Sequence, residues 1–162
     1  MKFVENKFIS QLEVNKQLTE FISNQKRTWA NDEDFVKGLY EKISYLTEQG
    51  LYGDYILKHY SREEIEEAEG FLDDERNKLF TYAGLDLLLK RYVIQDHSHH
   101  PLETPQEMYL GISLHLAMKE SKDCRMQWVR RFYDMLSQIK VTHAPHPSNA
   151  RNAIPTSFPA VS

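Results

Sequence analysis

Three histidines lie close together in a short polar stretch, which is the kind of grouping from which metal sites are built. His97, His99 and His100 occur within QDHSHHP. Two imidazoles on one loop can share a divalent ion, but a complete site needs a third or fourth ligand. Asp96 and Glu103 are the nearby candidates. We expect a polar loop here and assign no metal ligand.

The single cysteine, Cys124, is the other residue with evident reactivity. It lies in the first turn of a predicted helix and beside Arg125, an environment that can lower a thiol pKa. The sequence fixes no base next to it, so an incidental cysteine is the preferred interpretation. His115, within an otherwise apolar helix, is expected to be a hydrogen-bonded core or boundary residue.

Familiar catalytic motifs are absent from the sequence. It contains no Gly-x-Ser-x-Gly, no phosphate-binding glycine loop and no Glu-x-x-His pair, which are typical of hydrolases, nucleotide-binding enzymes and helical di-iron proteins. We therefore predict no catalytic, substrate-binding, cofactor-binding or metal residue in these 162 residues.

Composition indicates one globular domain. Of the 162 residues 41% are hydrophobic and 12% aromatic, enough to build a core. The net charge is −4 and the basic residues are scattered, which argues against nucleic-acid binding. The sequence has no signal-peptide pattern and no apolar run of membrane-spanning length, so no membrane partner is expected. A single cysteine fits a reducing compartment, and we predict a cytoplasmic location.

Helix signals recur along most of the chain. Asn31 or Asp32 can begin a helix that ends at Gly50, with Phe35, Leu39, Ile43 and Leu46 at helical spacing. The segment GLYGDYILKHY is expected to be a connector whose tyrosines, Tyr52, Tyr55 and Tyr60, seat against the core with their hydroxyls outward. TYAGLDLLLKRYVI is the most apolar helix and is predicted to be the buried central element.

Two further helices begin with a reciprocal cap. Ser61 with Glu64, and Thr104 with Glu107, form the pattern of a capping box, and Pro105 suits the first helical position. The last helix, DCRMQWVRRFYDMLSQIK, carries an apolar stripe, and its Arg130, Arg131 and Asp134 are spaced for ion pairs along the helix.

These signals predict an all-α fold, a compact orthogonal bundle of five or six helices with a disordered C-terminal tail. The expected division is a weakly helical N-terminal extension at 1–30, the helical domain at 31–140 and an irregular tail at 141–162. No segment alternates convincingly enough to be a strand.

The order of motifs resembles the N-terminal helical domain of the ribonucleotide reductase large (alpha) subunit. The similarity covers roughly residues 35–142. Its marks are a helix ending in Arg91-Tyr92, then ETPQEM at residues 103–108, then a helix containing Phe132-Tyr133 and Leu136-Ser137. The resemblance implies the N-terminal part of a ribonucleoside-diphosphate reductase, an oxidoreductase of deoxyribonucleotide biosynthesis that serves DNA replication and depends on a radical generator.

The chain departs from the family pattern after the last helix. In the family this stretch carries a threonine that holds the substrate phosphate and a cysteine of the redox pair, at the start of a catalytic barrel. Here the Ala144-Pro145 junction lacks the threonine, and no cysteine follows. Neither role can be carried over, and Cys124 matches no catalytic position. The resemblance therefore implies a truncated fragment, inactive alone, without a cofactor of its own.

The tail suggests a cause for this departure. Residues 158–162, FPAVS, can be encoded TTT CCA GCT GTT TCA, and reading from the third base gives Ser-Ser-Cys-Phe, the run missing from the family pattern. We expect a reading-frame slip near Arg151, which the nucleotide sequence would test.

Several functional alternatives remain at this point. The leading expectation is a helical portion whose partner is the missing catalytic barrel of the same subunit. A split enzyme would instead be complemented by a second chain, and self-association through an exposed apolar face is a further expectation. The third alternative is an unrelated helical interaction module.

Overall fold

The computed structural model describes residues 38–138 and, ahead of them, residues 12, 13, 15–17, 19 and 20. The elements, in chain order, are α1 (Leu39–Glu48), α2 (Tyr55–His59), α3 (Arg62–Glu69), a first 3₁₀ helix (Asp74–Leu79), α4 (Tyr82–Arg91), α5 (Pro105–Leu116), a second 3₁₀ helix (Ala117–Lys119) and α6 (Arg125–Ser137). No strand occurs among the described residues, where a single bridge joins Gln95 to Pro101. The predicted all-α fold is confirmed.

Some predictions fall on residues outside this range. The described part of the first predicted helix begins at Leu39, so its expected start and Phe35 are not covered. The same holds for the tail at 141–162 and for most of the extension at 1–30. The seven described residues of that extension are helical.

The end of α1 follows from one glycine. Gly50 has φ 69°, a left-handed conformation that glycine adopts without steric cost. The turn lets the Leu51 N–H donate to the Leu46 carbonyl at 2.9 Å and the Gly50 N–H donate to the Thr47 carbonyl at 3.0 Å. These bonds satisfy carbonyls that the helix leaves open, so Gly50 ends α1 as predicted.

Both predicted capping boxes are present. The Ser61 hydroxyl accepts from the Glu64 N–H, and the Glu64 carboxylate accepts from the Ser61 N–H, at the start of α3. Thr104 and Glu107 do the same for α5, with Pro105 at its first position. Reciprocal caps satisfy two backbone donors that would otherwise lack partners, which fixes where each helix begins.

The centre of the core is α5, and the prediction that assigned this place to α4 is wrong. Eight of the 12 residues of α5 are buried, whereas α4 buries only Leu85 and Leu89 among its own. Leu87 on α4 is 44% exposed. The physical reason is the polar face that α4 carries with Asp86 and Lys90, because charged side chains must stay in contact with water or a partner.

The tyrosine-rich connector is partly helical and more deeply buried than expected. Tyr55 begins α2, and Tyr52, Tyr55 and Tyr60 are each at most 5% exposed. The Tyr60 hydroxyl donates to the Leu114 carbonyl at 2.6 Å inside the core. The expectation of outward hydroxyls is therefore wrong for Tyr60, because a backbone acceptor 54 positions along the chain lies within its reach.

One described N-terminal residue, Gln17, contacts α4. The Gln17 side-chain amide donates to Asp86 Oδ1 at 3.2 Å, and Lys90 donates to Asp86 Oδ2 at 2.8 Å. Asp86 thus links the N-terminal segment to the polar face of α4. A helix with the length and hydropathy of a membrane span is not found among the described residues.

Candidate functional site

The histidine loop is held by one carboxylate. Asp96 Oδ1 accepts from the backbone N–H groups of Ser98 and His100, each at 2.8 Å, and Asp96 Oδ2 lies 3.2 Å from His100 Nδ1. Burial alone would raise the pKa of Asp96, but the hydrogen bonds from His100 and Ser98 lower it below its ordinary value. Asp96 is therefore occupied in shaping the loop.

The loop does not bring together the candidate metal ligands that the sequence analysis named. The side chains of His97, His99 and His100 are exposed, whereas Glu103 is 3% exposed and accepts from the Ile94 N–H at 2.9 Å. Glu103 thus faces inward, away from the solvent that the three imidazoles face. Among the described residues, no three His, Cys, Asp or Glu side chains are grouped to hold a metal ion.

Cys124 and Arg125 each make contacts with other residues. The Cys124 thiol contacts the Ser121 hydroxyl at 3.1 Å. The Arg125 guanidinium instead donates to the His59 carbonyl at 2.6 Å and twice to the Glu120 carbonyl at 3.2 Å, and it lies over the Tyr60 ring. Arg125 is 8% exposed, so it is a buried clamp on the ends of two helical segments.

His115 occupies a boundary position. Its ring meets the Tyr55 ring edge to face, with centroids 4.9 Å apart. Burial, and then the positive charge of Lys119, lower the His115 pKa below its ordinary value. The half-buried position of the ring agrees with the boundary residue that the sequence predicted.

A buried polar chain joins α5 and α6 to the first 3₁₀ helix, and sequence reasoning missed it. The Tyr133 hydroxyl donates to Gln106 Oε1 at 2.7 Å and accepts from the Asp73 N–H at 2.9 Å. The Gln106 amide donates to Asn77 Oδ1 at 2.9 Å. Gln106 and Tyr133 are both fully buried. Buried polar groups need such partners, because leaving one unpaired costs more than the bond itself contributes.

Arg76 closes the same network at the surface. Its guanidinium donates to the Ser137 hydroxyl at 2.6 Å, pairs with Asp134 at 2.8 Å and with Asp73 at 3.3 Å, and covers the Tyr133 ring. This pairing corrects the expectation that Asp134 would pair along its own helix. A guanidinium from another element, shielded to 18% exposure, competes better than the exposed arginines one turn away.

Those two arginines of α6 lie over aromatic rings instead. Arg130 is 5.6 Å from the centroid of the Phe71 ring, and Arg131 is 5.1 Å from that of Trp128. Both distances fit a cation–π contact.

The capping residue Glu107 has a second structural role. Its Oε2 accepts from the Thr104 N–H at 2.8 Å and from Lys42 Nζ at 2.7 Å. The Lys42 and Glu107 side chains are only 12% and 19% exposed. One carboxylate therefore starts α5 and holds α1 beside it.

The six residues ETPQEM at 103–108 are thus all used inside the fold. Glu103 holds the Ile94 N–H, Thr104 and Glu107 cap α5, and Pro105 opens it. Gln106 enters the buried polar chain and Met108 enters the core. Each residue of the motif that the sequence offered as the most specific therefore has a structural contact inside the fold.

This architecture and motif define the class of protein. Residues 78–153 match the family described as ribonucleotide reductase, all-alpha domain. The chain belongs to the ribonucleotide reductase large-subunit family, and the part that it matches is the N-terminal all-α domain. The recognition made from the motifs is confirmed.

The most informative relatives are bacterial reductase subunits. The chain is 62% identical over 117 residues to the ribonucleoside-diphosphate reductase subunit alpha of Treponema pallidum, covering 72% of this chain and 14% of the relative. It is 34% identical over 119 residues to the corresponding subunit of Haemophilus influenzae, covering 73% of this chain and 16% of the relative. With the reductase 1 subunit alpha of Escherichia coli it shares 30% identity over 105 residues, 64% of this chain and 14% of the relative.

These comparisons bear on the alternatives. The chain spans about one seventh of the length of the curated relatives it matches. An unrelated helical interaction module does not agree with 62% identity to a reductase subunit.

Proposed function

We propose that this chain serves as the helical domain of a ribonucleoside-diphosphate reductase large subunit, in cytoplasmic deoxyribonucleotide synthesis. In this role it supplies a folded support for the catalytic barrel, and it provides no catalytic, substrate-binding, cofactor or metal residue itself. The single observation that carries the proposal is the use of all six ETPQEM residues inside the fold. A motif whose side chains are all held by contacts inside the domain fixes the shape of the surface that a neighbouring domain contacts.

The family resemblance implies a division of labour between this domain and a catalytic barrel that carries the thiols. Radical reduction of a ribonucleotide requires cysteine thiols, and the 162 residues contain one cysteine, whose thiol contacts Ser121. The reaction then requires a barrel, in the same subunit or in a complementing chain, and a radical generator supplied by a partner. We propose 31–140 as the limits of the supporting domain, and residues 1–30 and 141–162 as its flanks.

A domain exchange tests this function. The aligned segment of the full-length Treponema pallidum subunit is replaced by that of this chain, and ribonucleoside-diphosphate reduction is measured with its radical-generating partner. We expect the exchanged subunit to be active and the 162-residue chain alone to be inactive. A folded but inactive exchange, or activity of the chain by itself, would contradict the proposal.

A matched pair of variants tests whether the buried polar chain of this domain stabilises the active exchanged subunit. Tyr133→Phe in the exchanged subunit breaks the buried polar chain, whereas Tyr82→Phe removes a hydroxyl from a side chain that is 44% exposed. We expect only Tyr133→Phe to lower the temperature at which reductase activity is lost.

A further inference from the structure

One side of α6 carries an aromatic and basic stripe that stays partly in solvent. Trp128, Arg131, Phe132 and Met135 recur at spacings of three, four and seven residues, which places them on one helical face. We call these four residues the α6 stripe. The Trp128 and Phe132 rings stack with centroids 5.7 Å apart, and Arg131 lies over the Trp128 ring.

Three of the four residues of the α6 stripe are large and apolar, and all four remain at least partly exposed. Met135 is 42% exposed, and Trp128 and Phe132 are only partly buried, packed against the core on one side. Trp, Phe, Met and Arg are residue types enriched at protein interfaces, and Trp and Arg are also enriched among the residues that contribute most to binding. The stripe has the composition of an interface rather than of an ordinary helix surface.

The position of the stripe in the chain indicates what covers it. Three of its four residues lie within the last two turns of α6, next to the point at which the chain continues beyond the helical domain. In the Treponema pallidum relative the matched segment is only 14% of the subunit. The contact recorded for the N-terminal residues is on a different helix, α4, where Gln17 bonds to Asp86.

Resting on the proposed function, we propose that the α6 stripe is the surface on which the remainder of the reductase large subunit docks. The partner surface is apolar, with a carboxylate or backbone carbonyl to receive the Arg131 guanidinium. A second copy of this chain fits less well, because a two-fold contact through the stripe would bring the two Arg131 charges together.

Two matched variants test the surface in the exchanged full-length subunit. Met135→Lys places a charge on the stripe, and Leu87→Lys places the same charge on α4 at a position of nearly equal exposure, 44%. We expect Met135→Lys to lower the thermal unfolding temperature of the subunit and Leu87→Lys to leave it nearly unchanged. In the 162-residue chain alone, neither variant should lower it, since both side chains already meet water.

Hydroxyl-radical labelling read by mass spectrometry gives a second measurement. Met135 and Trp128 should be modified about fivefold more slowly in the exchanged subunit than in the chain alone, because a docked interface excludes water. An active subunit in which both residues are labelled as fast as in the chain alone would overturn the docking surface and leave the proposed function intact. A folded, inactive subunit in which both residues are protected would support the docking surface and contradict the proposed function.

The isolated chain provides a measurement that does not depend on the exchange. An uncovered stripe should bind a hydrophobic dye, and Met135→Lys should reduce this binding more than Leu87→Lys does. A discrete dimer that protects Met135 and dissociates on Met135→Lys would identify a second copy as the occupant and overturn the proposal.

Discussion

The Tyr133 hydroxyl lies 2.7 Å from Gln106 Oε1, and neither side chain has any contact with solvent. The two residues are 27 positions apart, on the helices α5 and α6. Their bond lies in a chain of hydrogen bonds in which the Asp73 N–H donates to Tyr133 and Asn77 Oδ1 accepts from Gln106. This polar chain connects the family motif to the last helix.

Removing the Tyr133 hydroxyl should destabilise the domain measurably. Tyr133→Phe leaves the Asp73 N–H and Gln106 Oε1 without this partner, and we expect a loss of about 1–3 kcal/mol in the free energy of unfolding. Urea denaturation of the 162-residue chain measures it. Tyr82→Phe, at an exposed position, is the control and should change little. A Tyr133→Phe variant as stable as the original chain would show that the bond contributes nothing.

The ion pair between α1 and α5 should matter more than an exposed pair of similar length. We expect Lys42→Met to cost about 1 kcal/mol, because Lys42 and Glu107 are largely shielded from water. Lys58→Met removes the exposed Lys58–Asp54 pair, at 2.6 Å, and should cost less than about 0.5 kcal/mol. Chemical denaturation of both variants measures the two losses in the free energy of unfolding. Equal losses would contradict a stabilising role for the Lys42–Glu107 pair.

Arg125 should not tolerate replacement by lysine. An ammonium group cannot reach the His59 and Glu120 carbonyls with the geometry of a planar guanidinium. We expect Arg125→Lys to lower the free energy of unfolding by about 1–3 kcal/mol, since buried acceptors lose their donor. Arg131→Lys, on an exposed side chain of the same helix, is the matched control. If the two variants were equally stable, the Arg125 guanidinium would not have the stabilising role assigned to it.

Acidification should destabilise the fold in part through His115. Its folded pKa is lowered by burial and by Lys119, so the unfolded chain binds the proton more readily. The contribution is complete above the ordinary value of 6.5 and is lost as the pH falls through the lower folded pKa. Stability measured from pH 7.5 downward should therefore fall less steeply in His115→Gln than in the original chain. Identical slopes for the two chains would contradict this assignment.

The sequence by itself determined the local features of this protein. The capping boxes at Ser61 and Thr104 and the end of α1 at Gly50 depend on residues within one turn of each other, so their types and spacing suffice. Recognition of the family rested on the same kind of short pattern. Only the tertiary structure decided that α5 is central, that Glu103 faces inward and that Asp134 pairs with Arg76. The Tyr133 network likewise joins residues 27 to 60 positions apart, because long-range partners are chosen by packing and not by neighbours in the chain.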